Sequence, residues 1–345
     1  MPDTQAAPAA DAPPPPGEVR AVQPGLLRAR MPLPFPPSHV NVWFLEHGDG
    51  WMAVDASVSS RTSRELWDRV LASPELGGKP LTGLLVTHFH PDHIGLAGWL
   101  CGRFGVLPHM TRIEWLMARA LWYDSGPAMM AQQIAHYARA GCPADYLVFV
   151  EGRGALYQRS VGELPRSFHA LRDGRPVRIG GSEWMVATGA GHAPDMACLH
   201  SAERNLLISA DQILPRISPY IGLHPGEPEA DPLGDFLASN ERFRALPEDV
   251  LVLPSHGEPF RGLHRRLDSL AAHHADRLDV LADACRGEPL TAFEAAGVLF
   301  PRATQEMPQI GFTVGETLAH LRRLERQGRL AVVPGPGEAV RFQAR

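Results

Sequence analysis

The chain alternates between short apolar runs and longer amphipathic stretches, and the period of each predicts its element. Asn41-Val42-Trp43-Phe44-Leu45 and Trp51-Met52-Ala53-Val54 flank His47-Gly48-Asp49-Gly50, which predicts a hairpin. Arg61 to Ala72 reads as a helix, and Leu84-Leu85-Val86-Thr87 as a buried strand. Ile94 to Leu100 reads as the start of the next helix. Further strand-like runs are Glu183 to Ala187, Asn205 to Ala210 and Val250 to Pro254. This alternation, with a hairpin near its start, predicts an α/β sandwich of two mixed sheets covered by helices. No internal repeat is visible.

Three segments depart from that pattern. Residues 1–24 are Ala/Pro-rich, with four consecutive prolines from Pro13 to Pro16, and are expected to be disordered. The main domain then spans 25–262. Within it, residues 111–172 are longer than a connection between two strands requires and read as a helical insertion. Its first half carries Trp115, Leu116, Met117, Leu121, Trp122, Tyr123, Met129 and Met130. Such residues either pack the insertion onto the body or wall an adaptable apolar pocket. Residues 263–345 look different. His264 to Arg286, Leu290 to Leu299 and Gly315 to Gln327 read as helices, the last stopped by Gly328. Leu330 to Val333 and Ala339 to Phe342 then form a hairpin around Pro334-Gly335-Pro336-Gly337. Helices followed by a hairpin predict a small winged-helix-like domain.

The candidate chemistry is concentrated in His88-Phe89-His90-Pro91-Asp92-His93. Three imidazoles and a carboxylate are costly to crowd together unless a cation sits among them. The hexapeptide lies on a strand-to-helix loop, where a rigid scaffold holds side chains at a sheet edge. His88 and His90 alternate along an extended segment and can face one point, while Asp92 and His93 can face a second. Imidazole with carboxylate suits zinc, or less selectively iron or manganese.

The pattern H-x-H-x-D-H resembles the signature of the metallo-β-lactamase superfamily. That resemblance asks for a later His, Asp and His, each after a strand. His192 follows Gly189-Ala190-Gly191, Asp211 ends Asn205 to Asp211, and His256 ends Val250 to His256. The match spans roughly residues 25 to 260. It implies an αββα sandwich holding two zinc ions, with iron or manganese as alternatives. His88, His90 and His192 would hold one, Asp92, His93 and His256 the other, and Asp211 both. Two adjacent metals lower the pKa of a shared water and polarise a carbonyl or phosphoryl oxygen. Asp92 would orient that water and pass a proton to the leaving group. Asp55, closing the run Trp51 to Val54, matches an Asp that orients a ligand, although a strand-end turn residue is an equal reading. The oxygen-reducing iron branch carries Glu at the position of His90, so hydrolysis is favoured over redox chemistry. Glyoxalase II-type thioesterases are the nearest well-known activity, and thioesters, esters or lactones of modest size the expected acyl substrates. Arg216 and Tyr220, on the loop after Asp211, and Trp122 and Tyr123 are candidate substrate contacts.

Composition narrows the setting. The chain has 345 residues and a net charge of −5, which exerts no global pull on nucleic acid or anionic membrane. Four separated cysteines without a C-x-x-C pair, and no basic-then-apolar leader or membrane-length run, predict a cytoplasmic protein with free thiols. The carboxyl-terminal domain is similar to winged domains appended to other proteins of the superfamily, including endoribonucleases, which raises single-stranded nucleic acid as a rival substrate. Arg322, Arg323, Arg326 and Arg329 cluster there, but the arginines of 261–345 only slightly outnumber its acids, and no base-reading set is evident. Packing or homodimerisation would serve such a domain equally well. The remaining histidines, His39 among them, read as ordinary ones.

Overall fold

The computed structural model describes residues 13–345. In chain order they form β1 (Val19–Gln23), β2 (Leu26–Pro32), β3 (His39–His47), β4 (Gly50–Val54), α1 (Arg61–Leu71), β5 (Leu81–Leu85), α2 (Pro91–Ile94), α3 (Ala97–Phe104) and β6 (Pro108–Thr111). Next come α4 (Arg112–Tyr123), α5 (Pro127–Arg139), α6 (Ala144–Arg153), α7 (Tyr157–Ser160), β7 (His169–Leu171), β8 (Pro176–Ile179), β9 (Ser182–Gly189), β10 (Met196–Ser201) and β11 (Leu206–Ala210). The last elements are α8 (Pro232–Arg242), β12 (Leu251–Pro254), α9 (Leu263–Ala284), α10 (Ala292–Leu299), α11 (Met307–Arg326), β13 (Leu330–Pro334) and β14 (Val340–Ala344). The chain divides into two compact units. One holds the described residues up to Tyr123 with Leu156–Pro219 and Phe243–Arg266. The other holds Asp124–Ala155, Tyr220–Arg242 and Leu267–Arg345. The segment 111–172 is therefore shared, with α4 and α7 in the first unit and α5 and α6 in the second.

The first unit contains two mixed sheets, ordered β1-β2-β3-β4-β5-β6-β7 and β12-β11-β10-β9-β8. Pairing is antiparallel from β1 to β4 and parallel from β4 to β7. In the smaller sheet only β11 and β12 run parallel. Strands β3 and β4 are apolar on both faces because both faces are covered. Trp43, Leu45, Met52 and Val54 meet Trp184, Val186, Leu199 and Ile208 of the second sheet. Val42, Phe44, Trp51 and Ala53 face a second core with Leu66, Trp67 and Val70 of α1 and Leu100 of α3. The indoles in that layer find acceptors, Trp67 Nε1–H on the Ala56 carbonyl and Trp51 Nε1–H on that of Leu76.

The amino-terminal expectation needs correction. Residues 1–12 lie outside the described residues, but Val19–Gln23, read as part of a disordered tail, is an edge strand. Pro24-Gly25 makes the two-residue turn into β2, with Gly25 at φ 66, and Val19 is buried against the sheet. A strand this short has too little sequence to announce itself beside a proline-rich stretch.

The second unit comprises helices and the β13–β14 hairpin. Thr291 and Glu294 form a reciprocal capping box at the start of α10. Helix α11 begins at Met307, well before the Gly315 read from sequence, because Ile310 and Val314 bury on its inner face despite Gly311 and Gly315. Its centre holds His320, whose Nδ1–H donates to the Glu316 carbonyl at 2.8 Å while Nε2 lies 3.1 Å from His274 Nδ1. Burial, helped by Arg277, lowers His320 to about 4. The unfolded chain therefore takes the proton first. Stability contributed by neutral His320 is expected to be complete above pH 6.5 and to fall as pH drops towards 4, by roughly 3 kcal/mol. Denaturant unfolding at pH 7 and 4.5 checks this, with His320→Gln expected to flatten the dependence. Among the described residues no helix is long and apolar enough to cross a membrane.

Candidate metal centre

The strand ends of the first unit converge on one point. After β5 the chain stays extended through Val86 and Thr87, anchored by Val86 N–H on the His109 carbonyl and Ala197 N–H on that of Thr87. His88 follows, and His90 caps α2 with Pro91 in its first turn, which sets Asp92 and His93 at the helix start. His192 comes from the loop after β9, Asp211 directly follows β11, and His256 follows β12. Two left-handed residues, Asp55 at φ 68 and Ala210 at φ 48, turn the chain at the ends of β4 and β11. Non-glycine residues accept that backbone at a cost of about 1–2 kcal/mol each.

All seven residues expected to bear donors are brought together. His88 Nε2 is 3.0 Å from His90 Nδ1, His90 Nδ1 is 2.9 Å from His192 Nε2, and His192 Nε2 is 3.3 Å from His88 Nε2. Ligand nitrogens around tetrahedral zinc stand about 3.3 Å apart, so this triangle fits one ion. Asp92 Oδ2 lies 3.5 Å from the Nε2 atoms of both His93 and His256. Asp211 Oδ2 reaches both groups, 3.3 Å from His192 Nε2, 3.6 Å from His93 Nε2 and 3.2 Å from His256 Nε2. Two buried atoms of these residues, His93 Nε2 and Asp211 Oδ1, have no hydrogen-bond partner. Donor chemistry, spacing and these orphaned atoms all fit divalent cations.

Protonation follows the same geometry. Burial, reinforced by neighbouring imidazoles, holds His88 and His90 well below the usual histidine range, leaving lone pairs free. Burial also opposes charge on His93, yet Asp92, Asp55 and Asp211 hold it well above that range. Asp211 is pulled well below the usual carboxylate range by His256 and His93, against its own burial. Asp92, likewise against burial, is lowered to about 2 by His93 and then His256. A divalent cation would displace the proton held on His93.

A supporting layer orients the rings. His93 Nδ1–H donates to Asp55 Oδ2 at 2.8 Å, which directs Nε2 into the cluster. Asp55 Oδ1 accepts from Thr87 N–H at 2.8 Å and from Thr87 Oγ1–H at 3.0 Å, so Thr87 Oγ1 accepts from His88 Nδ1–H at 3.0 Å. His256 Nδ1–H donates to the His39 carbonyl, and Gly257 N–H donates to His39 Nε2. His39 was read as an ordinary histidine, and no local pattern ties it to a loop more than two hundred positions away. Nor does local pattern tie Thr87 to Asp55, 32 positions away.

The expected substrate contacts are divided between the two units. Trp122 packs on the core of the first unit, and its Nε1–H donates to the Val161 carbonyl at 3.3 Å. Tyr123 is exposed, with the Arg119 guanidinium 5.0 Å from its ring, and Arg216 is exposed. Tyr220 belongs to the second unit, where its ring sits edge-on to Phe312 and close over Gly222 and Gly315. Trp115, Met117 and Leu121 also pack on the first unit's core, which accounts for much of the apolar richness of α4.

Known proteins match this frame. The family described as the metallo-beta-lactamase superfamily matches residues 35–256, and one described as metallo-beta-lactamase-like, C-terminal domain, matches 278–345. A probable metallo-hydrolase of Bacillus subtilis is 24% identical over 309 residues, 88% of this chain and 92% of that protein. A linear primary-alkylsulfatase of Pseudomonas is 27% identical over 63% of this chain but only 41% of its own length. Among solved structures, a beta-lactamase domain protein of Burkholderia ambifaria is 37% identical with a TM-score of 0.90, covering 99% of this chain and 98% of that one. A metallo-beta-lactamase family protein of Thermus thermophilus is 29% identical with a TM-score of 0.80, covering 94% and 100%. With the family match taking in every donor from His88 to His256, and likeness to solved members running the length of the fold, the chain belongs to the metallo-β-lactamase superfamily as a metallo-hydrolase.

Proposed function

We propose that the chain is a zinc hydrolase with two metals that cleaves thioesters, esters or lactones of modest size. The observation that carries this reading is the pair of donor groups sharing Asp211 Oδ2. His88, His90 and His192 would hold one cation, Asp92, His93 and His256 the other, and Asp211 both; iron or manganese could replace zinc. When bound, the cations supply an acidified water as nucleophile and positive charge for the developing oxyanion. Asp92 is the most open of the carboxylates here, with 13% of its side chain exposed. Its low pKa keeps Oδ2 ionised as an acceptor, able to orient the attacking water. Asp55 and Thr87 hold His93 and His88 in the required tautomers.

The arginine cluster offers little to a nucleic-acid substrate. Arg322 pairs with Glu325 and Glu229, Arg323 with Asp231 and Arg329 with Asp279, while Arg326 donates to the Glu229 carbonyl. Guanidinium groups engaged in this way are poorly placed to neutralise phosphates.

The test is a panel of acyl-CoA and glutathione thioesters, lactones, a primary alkyl sulfate, a phosphodiester and single-stranded RNA, using metal-quantified protein. Thioester or lactone hydrolysis is expected, together with its loss in His90→Ala as metal content drops and the fold persists. The alkyl sulfate is included because a relative bears that activity's name. Cleavage of RNA or phosphodiester alone, falling steeply with salt, would overturn the acyl assignment.

A further inference from the structure

Glu114 is fully buried in the first turn of α4, and no Lys or Arg pairs with it among the described residues. Its partners are two backbone amides. Phe89 N–H donates to Oε2 at 3.0 Å and Asp195 N–H donates to Oε1 at 2.7 Å. Phe89 stands between His88 and His90, and Asp195 follows His192 by three positions. The carbonyls of the same two residues are also held. Tyr157 Oη–H donates to the Phe89 carbonyl at 2.6 Å, and Thr111 Oγ1–H to the Asp195 carbonyl at 2.7 Å. Each loop is gripped on both polar groups of one residue, and one carboxylate spans the two loops.

We propose that Glu114 is a positioning residue that sets the spacing of His88 and His90 against His192, with Thr111 and Tyr157 completing the grip. The inference rests on the ligand assignment proposed above. Burial pushes the Glu114 carboxyl up to about 8 while the two amides pull it down; ionised, it offers two acceptor oxygens on one rigid plane, which suits the task. An amide offers one acceptor and turns an N–H₂ group towards the other backbone N–H. An aspartate is one methylene too short to span both loops. His256 lies on neither loop, and His93, although on the loop of Phe89, is held separately by Asp55, so loss of the bracket acts chiefly on His88, His90 and His192. Simple filling of the space beneath the loops would show no such selectivity.

The experiment uses full-length, zinc-loaded wild type, Glu114→Gln and Tyr157→Phe. Chelator competition reads the two zinc dissociation constants, amide hydrogen exchange reads Phe89 and Asp195, and thermal melting monitors the fold. Glu114→Gln is expected to weaken one zinc site by about 10–100-fold, leave the other unchanged, and speed exchange at one or both amides. Tyr157→Phe, a smaller change that decides the matter if Glu114→Gln does not fold, is expected to weaken the same site to a lesser degree. Unchanged affinities with faster exchange, or equal weakening of both sites alongside a lower Tm, would overturn the positioning role and leave the ligand assignment standing. Failure of the wild type to bind zinc would overturn both.

Discussion

Asp211→Asn is expected to strip both donor groups of metal and to lower kcat/KM by roughly 1,000-fold or more, equivalent to about 4 kcal/mol. Among the described residues, Asp211 Oδ2 is the one carboxylate oxygen within 3.6 Å of ring nitrogens from both groups. The amide keeps the shape and removes the charge, so the change isolates electrostatics from packing. His192, His93 and His256 would then face a neutral group, and two cations would lose the anion that lets them sit close together. Metal content after gel filtration and steady-state kinetics check this, with circular dichroism confirming the fold. A variant that keeps two metals per chain and activity within tenfold of wild type would sink the shared-ligand role.

Asp55→Asn should act more selectively. Asp55 Oδ2 accepts the His93 Nδ1 proton, and this fixes Nε2 as the nitrogen facing Asp92 and Asp211, free to offer its lone pair once a cation displaces its proton. An amide in its place can still accept from Thr87 N–H through its oxygen, but it turns an N–H₂ group towards His93 Nδ1. The imidazole must then carry its proton on Nε2, where a cation should sit. Metal affinity at the Asp92, His93, His256 group is expected to fall about 10–100-fold, with a comparable loss of activity. Asparagine tolerates the φ of 68 at this position, so the backbone is not what is being tested. Asp55→Ala goes further, because it also leaves the buried Thr87 N–H without an acceptor, at about 1–3 kcal/mol of stability. Wild-type affinity in the Asn variant would mean that the Asp55–His93 contact does not set the tautomer.

The loop from His88 to His93 was legible from its own pattern and the apolar run before it, whereas His192, Asp211 and His256 were picked out only because the resemblance to the superfamily asks for such residues after strands. The two-sheet body was legible too, since β3, β4, β11 and β12 are continuous apolar segments. What escaped was the supporting layer. His39, Thr87, Glu114 and Tyr157 act through contacts to backbone or side chains that local sequence does not encode. The length of α11 escaped too, because Pro308, Gly311 and Gly315 argue against a helix that burial of Ile310 and Val314 enforces. The apolar richness of residues 111–172 was visible, but not its division, with α4 and α7 folding with the first unit and α5 and α6 with the second. Amphipathic helices record that a face is buried and not what buries it.

The order of the donors along the chain has a consequence for synthesis. They run from His88 to His256, and His256 is oriented by the carbonyl of His39, at the head of β3. A growing polypeptide thus has the H-x-H-x-D-H loop exposed for the time needed to translate more than one hundred and fifty further codons before its last ligand exists. Until then the early histidines would form an open chelator rather than a closed centre. With the proposed ligands, tight loading would begin only after β12 has joined β11, so that the metal complement would record completed folding and the ions would stabilise finished chains by mass action.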